Sequence, residues 1–249
     1  MKDWTVGEAP RASARIAGAL YLIVIVLGIF AELFVRGRLI DFDDGAATTS
    51  NILAHEQLYR LGFVAGIIYL ACNIPLAVIF YELFNVVNRR LARVVVFFIL
   101  LGTALEGVSL VFYFAPLNLL SGRGYLATFN AEELNTLVLV SLSLRATTFL
   151  TALSFFGFYC IAIGYLIFRS TFLPRILGVL MGIAGLSYLT HSLTTFLVPR
   201  FASSLVPYIL LPCFVAETSF CLWLLARGVN VRKWEERAGH WRSSAAHAP

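Results

Sequence analysis

The stretch TALSFFGFYCIAIGYLIF, RSTFLPR, ILGVLMGIAGLSY, running from Thr151 to Tyr188, decides the fold. Two apolar runs flank a short polar segment that holds Arg169, Pro174 and Arg175. The hydrocarbon core of a bilayer is ~30 Å thick, and about 20 helical residues at 1.5 Å each cross it. The first run is long enough to cross and carries no charge. The polar segment marks where the chain leaves the hydrocarbon, turns and re-enters it. The stretch therefore reads as a transmembrane hairpin, and the rest of the chain repeats that unit.

Composition agrees with this reading. The chain is 59% hydrophobic and 13% charged, with 21 Phe, whereas soluble domains carry about 25% charged residues. A soluble fold of this size could not cover so much apolar surface. The expected fold class is all-α, a polytopic six-helix transmembrane bundle. The expected spans are Ala14–Val35, Leu58–Phe84, Leu91–Leu120, Ala146–Phe168, Arg175–Val198 and Ser204–Ala226. Residues 1–13 form a polar tail, 14–226 the transmembrane domain, and 227–249 a basic tail that is mobile or lies on the membrane surface. The run from Ile16 to Phe30 continues through Glu32 to Val35 with no small-x-small cleavage site after it. It is therefore expected to be an uncleaved span, with no signal peptide.

Local signals refine the spans. The loop from Arg36 to Gln57 holds Asp41, Asp43 and Asp44, and an acidic start from Asp44 suits a surface helix. Asn130-Ala-Glu-Glu133 is a capping box. A helix starting there and reaching Phe168 would be about 57 Å long, beyond the core. It should therefore project from the membrane or break near Arg145–Thr148. Pro75 should kink or open span 2, and Pro207 with Pro212 should bend span 6. Gly62-x-x-x-Gly66 and Gly178-x-x-x-Gly182 with Gly185 let helices approach closely. Those contacts lie within the bundle or between copies of the chain, so a homo-oligomer is one alternative.

Arginine and lysine set the orientation. Lys2, Arg11, Arg15, Arg89, Arg90, Arg93, Arg169, Arg175, Arg227, Arg232, Lys233, Arg237 and Arg242 fall on one side, and Arg36, Arg38, Arg60, Arg123, Arg145 and Arg200 on the other. The richer side is cytoplasmic, with both termini inside. The net charge of +5 is a topology signal, and no nucleic-acid partner is expected, because no basic cluster interleaves with aromatics outside the tail. The lipid bilayer is the one partner the sequence requires.

Ionisable groups inside spans are functional candidates by default, because charge there is expensive. They are Glu32, Glu106, Arg145, His191 and Glu217, with Asn73 beside Pro75 as a polar group at a broken-helix position. Helix rise puts Glu106 about 22 Å and Glu217 about 15 Å from the inner ends of their spans. One reading makes Glu106 and Glu217 a proton or cation site opening outward through Arg145 and His191, in a ligand cavity that also holds Asn73. The other makes them a polar network that ties helices together, with Asn73 bonding carbonyls that Pro75 frees. Glu32 and Glu82, near helix ends, can reach the interface and read as structural.

No catalytic residue, metal site or cofactor is expected. No lysine lies in a span to carry retinal, and only His191 lies within a span, too few for bis-histidine haem. His55-Glu56 lacks a second zinc ligand, since Gln57, Leu58 and Tyr59 follow. Neither a phosphate loop nor G-x-S-x-G occurs, and no span holds an aspartate. Cys72, Cys160, Cys213 and Cys221 sit in apolar runs without metal or disulfide spacing.

Several runs carry a resemblance: Arg15-Ile-Ala-Gly-Ala-Leu-Tyr-Leu22, Gly28-Ile-Phe-Ala-Glu-Leu-Phe34, Gly164-Tyr-Leu-Ile-Phe-Arg-Ser170 through Phe172-Leu-Pro-Arg-Ile-Leu-Gly178, and Glu217 followed by Leu222-Trp-Leu-Leu-Ala-Arg-Gly-Val229. Through them the chain resembles the bacterial membrane proteins grouped as domain-of-unknown-function family 4386, over about Arg11 to Val229. The resemblance implies a multi-span membrane protein and brings no activity. The functional expectation is a membrane protein that binds or transports a small molecule through an intramembrane polar site. The alternatives are a non-catalytic accessory or structural membrane protein, and an intramembrane enzyme acting on a lipid-like substrate.

Overall fold

In hydrocarbon a backbone amide must find its partner within the chain, and a helix achieves this locally. The computed structural model describes residues 10–122, 124–200 and 208–246, and all its regular structure there is helical. Six helices among the described residues are long and apolar enough to cross a membrane. They are α1 (Pro10–Leu39), α3 (Glu56–Phe84), α4 (Arg89–Leu119), α5 (Ala131–Ser170), α6 (Arg175–Leu197) and α7 (Leu211–Ala226, entered through a 3-10 turn at Tyr208–Leu210). Two shorter helices, α2 (Gly45–Ala54) and α8 (Val231–Ala246), complete the order. The chain is a multi-pass membrane protein.

Several elements differ from the sequence expectation. Helix α5 runs unbroken for 40 residues, about 60 Å, so the projecting helix forms and no break occurs at Arg145–Thr148. The hydroxyls of Thr147, Thr148 and Thr151 bond carbonyls of the preceding turn, which satisfies them within the helix. Helix α1 continues past Val35 to Leu39 through a π-helical stretch, Phe30–Arg36. Arg36 therefore lies in the helix and not in the following loop. Pro75 and Pro116 both sit inside continuous helices. Pro212 sits in the first turn of α7, where its missing N–H has no helical acceptor to lose, so it does not bend the span; Pro207 lies outside the described residues. Much of the C-terminal tail is helix α8, whose Trp234 is buried and donates its indole N–H to the Leu83 carbonyl at 3.0 Å.

The expected caps form. Asp44 accepts from the Ala47 N–H at 2.8 Å at the start of α2. Asn130 and Glu133 exchange reciprocal bonds of 2.8 and 2.9 Å at the start of α5. Between α5 and α6 the turn puts Thr171 at φ +63, a left-handed conformation that a β-branched residue rarely adopts.

The chain forms two compact units, with α1, α3, α4 and α5 each contributing to both. The first comprises Met1–Leu22, Cys72–Gly102 and Leu153–Pro249. Its packing depends on small residues between α5 and α6. A Cβ at Gly164 would come within 2.7 Å of the Gly178 carbonyl, one at Gly178 within 2.5 Å of the Gly164 carbonyl, and one at Gly185 within 2.5 Å of the Gly157 carbonyl. Gly18 of α1 meets the Leu225 backbone of α7 equally closely. Tyr21, Phe80, Tyr159 and Phe220 fill the space beside these contacts with ring centroids 5.7–6.4 Å apart.

The second unit comprises Ile23–Ala71 and Thr103–Ala152. Val35, Leu39, Ile52, Tyr59, Tyr113, Leu117, Val138 and Leu142 form its core. Helix α2 packs Thr48 and Ile52 inward, Ile52 into that core, and leaves its other residues exposed or half-buried. Gly62 and Gly66 let α3 approach Tyr113 and Leu110 of α4.

The two glycines of one motif should therefore respond differently. Gly178→Ala drives a methyl into backbone and should cost about 1–3 kcal/mol. A Cβ at Gly182 meets nothing within 4 Å, so Gly182→Ala should be neutral or stabilising by up to about 1 kcal/mol. Thermal unfolding of the detergent-solubilised variants checks both.

Candidate functional site

The second unit gathers charge where α1 departs from α-helical geometry. A π-helical stretch is rare and recurs at functional sites. This one carries Glu32 and Arg36. Arg36 Nε donates to Glu32 Oε2 at 2.7 Å, and its Nη2 forms an ion pair with Oε1. From α5, Arg145 Nη2 donates to Glu32 Oε1 at 2.5 Å. One carboxylate thus holds two guanidinium groups. The arginines are buried, at 5% and 8% exposure, while the Glu32 side chain retains 33%.

Aromatic rings cover one face of each cation. Arg36 lies 5.5 Å over the Tyr113 ring and Arg145 4.7 Å over Phe149, a favourable contact for a desolvated guanidinium. Tyr113 is itself fixed by Tyr59. The rings stack at 4.2 Å, and each hydroxyl donates to the other residue's carbonyl, at 2.6 and 2.8 Å.

Glu106 of α4 is buried and accepts from the Tyr69 hydroxyl of α3 at 2.7 Å. Both guanidinium groups lie within electrostatic reach of its carboxyl, but neither forms an ion pair with it. Among the described residues, Arg36 Nη1 and Arg145 Nε are buried with no hydrogen-bond partner. Glu32, Arg36, Tyr69, Glu106 and Arg145 therefore form one polar cluster with donors left over.

The remaining candidates fall in the first unit. Glu217 of α7 is half-buried and accepts from the Cys160 thiol at 3.8 Å. The Tyr21 and Tyr188 hydroxyls also lie within reach of its carboxyl, although Tyr21 makes no well-formed bond. Asn73 is buried in α3, and no hydrogen bond to its side chain occurs among the described residues. Among the described residues His191 Nδ1 is buried without a partner, while its carbonyl accepts from Thr194 and Thr195. Of the six residues singled out by sequence, the structure brings Glu32, Glu106 and Arg145 into one cluster. It assigns Asn73, His191 and Glu217 to the other unit.

The profile of the domain of unknown function DUF4386 matches residues 16–228. The chain belongs to the DUF4386 family. The matched region contains both polar groups of this DUF4386 protein, and the family description attaches no activity to them. No curated protein and no solved structure matches the chain.

Sequence reasoning missed Arg36, Tyr69 and Tyr113. A signal existed for Arg36, since Glu32 and Arg36 have the i, i+4 spacing of a helical ion pair. Tyr69 gives no such signal, because its partner Glu106 lies on another helix. Among the described residues, no three His, Cys, Asp or Glu side chains come together as a metal would need.

Removing Glu32 leaves two buried cations without their shared anion. Glu32→Gln should cost about 3 kcal/mol of stability. Tyr113→Phe removes one neutral hydrogen bond and should cost about 1 kcal/mol. Thermal unfolding of this DUF4386 protein in detergent should rank the two in that order.

Proposed function

We propose that this DUF4386 protein binds a small molecule within the membrane, and carries or presents it, at the cluster of Glu32, Arg36, Tyr69, Glu106 and Arg145. The observation that carries this reading is the gathering of four ionisable side chains from α1, α4 and α5 in one unit, with their hydrogen bonds incomplete. Arg36 and Arg145 are buried, and taking an ion out of water carries a desolvation penalty wherever it lies along a helix. Apolar packing would join the same helices without that cost. A site that uses the charges accounts for the expense, and a tie between helices does not.

The alternative is a non-catalytic structural or accessory role. Its support is Glu32, which links α1 to α5 by accepting from Arg36 and Arg145 together. The intramembrane-enzyme reading draws no support from either polar group. We further propose that both termini are cytoplasmic, on the strength of the arginine and lysine asymmetry, and that the protein resides in a bacterial inner membrane, as the family resemblance implies. Reporter fusions at the C-terminus should be active on the cytoplasmic side only.

Mass spectrometry of small molecules retained by the detergent-purified protein tests the binding reading. Wild type should hold a ligand that Arg145→Gln and Glu106→Gln lose while still eluting as folded protein. Ligand-free wild type, with variants that only melt earlier, would support the structural alternative.

A further inference from the structure

The unsatisfied atoms of the cluster all have the same polarity, and this narrows the ligand class. A guanidinium presents five N–H donors and no acceptor, so two of them bring ten donors to the cluster. Among the described residues, Glu32 is the carboxylate that pairs with them. Glu106, the other acid in the cluster, accepts from Tyr69 instead. Among the described residues, Arg36 Nη1 and Arg145 Nε are buried and without a partner. A buried donor without an acceptor is destabilising, so these atoms favour a ligand that supplies acceptors.

Geometry restricts it further. Tyr113 and Phe149 cover a face of each guanidinium. Tyr113 is locked by its paired bonds to Tyr59, and Arg36 is held by Glu32 from the same helix. The cations are thus fixed before a ligand arrives, which lowers the ordering cost of binding. Guanidinium edges match carboxylate and phosphate oxygens by paired hydrogen bonds.

Resting on the small-molecule reading above, we infer that the Arg36–Arg145 pair is an oxyanion-binding site, taking a carboxylate or phosphate group borne by a lipid headgroup or by a soluble molecule. The incoming oxyanion accepts from Arg36 Nη1 and Arg145 Nε and shares the two cations with Glu32. Tyr69 and Glu106 complete the polar surround and leave the anion's other substituents to the apolar helices.

The test measures thermal unfolding of the full chain in two formats. In detergent, inorganic phosphate and acetate are titrated at constant ionic strength with chloride as the control anion. In nanodiscs, phosphatidylcholine alone is compared with phosphatidylcholine containing phosphatidylglycerol. The site predicts a saturable rise in the unfolding midpoint with an oxyanion over chloride, or with the anionic lipid over phosphatidylcholine alone. The first result identifies a soluble source and the second a headgroup. Arg145→Gln should weaken the response at least tenfold in concentration. Arg145→Lys keeps the charge, loses Nε and the planar fork, and should weaken it while staying folded. Arg60→Gln, at an exposed arginine paired with Glu56, should leave it unchanged.

The same samples are analysed for retained molecules. A retained ligand that is neutral or cationic and depends on Arg145 would overturn the oxyanion assignment and leave the small-molecule reading standing. No retained ligand and no response to either anion source would overturn both. A response that persists in Arg145→Gln and Arg145→Lys would overturn the assignment to this pair.

Discussion

In hydrocarbon no water is present to accept a stray N–H or to donate to a stray carbonyl, and this constraint governs the structure. It makes every described span a helix and limits how each can deviate. Pro75 and Pro116 remain inside helices, while Pro212 occupies a first turn where nothing is lost. The threonines of α5 bond back to their own helix, and Gly228, at φ +65, closes α7 by donating to the carbonyls of Trp223 and Leu224. The π-helical stretch of α1 is the largest departure, and it coincides with Glu32 and Arg36.

The same solvent offers little drive for apolar helices to associate, since lipid tails are as apolar as leucine. Close backbone approach supplies contact instead. Gly157 and Gly164 of α5 face Gly185 and Gly178 of α6 at separations that exclude a methyl group. In the second unit polar groups take a larger part. Glu32 joins α1 to α5, Tyr69 joins α3 to Glu106 of α4, and Tyr59 joins α3 to Tyr113 of α4. These bonds hold two cations in fixed positions with donor atoms to spare. A cluster built this way ties α1, α3, α4 and α5 together, so a single substitution in it disturbs more than one helix contact.

Local chemistry written in consecutive residues was readable from the sequence. The apolar runs on either side of RSTFLPR, the capping box at Asn130 and Glu133, the Asp44 cap and the glycine spacing at Gly178 and Gly182 each depend on neighbours a few positions away. The resemblance in the Gly164–Gly178 region pointed to the family that the profile shows. Glu32, Glu106 and Arg145 were legible as candidates, because an ionisable residue in an apolar run stands out without any knowledge of its partner.

Partner choice was not legible. A soluble helix betrays its buried face by an apolar stripe, but a helix that is apolar all round gives no such stripe to read. The sequence therefore determined that this chain crosses the membrane several times as helices and which residues are costly there. Only the tertiary structure decided that Arg36 is buried, that Glu32 serves two arginines, that Tyr69 belongs to Glu106, and that Trp234 of the polar tail docks on the end of α3. Apart from the i, i+4 pair of Glu32 and Arg36, those pairings join residues distant in sequence, and in lipid no hydrophobic pattern along the chain encodes them.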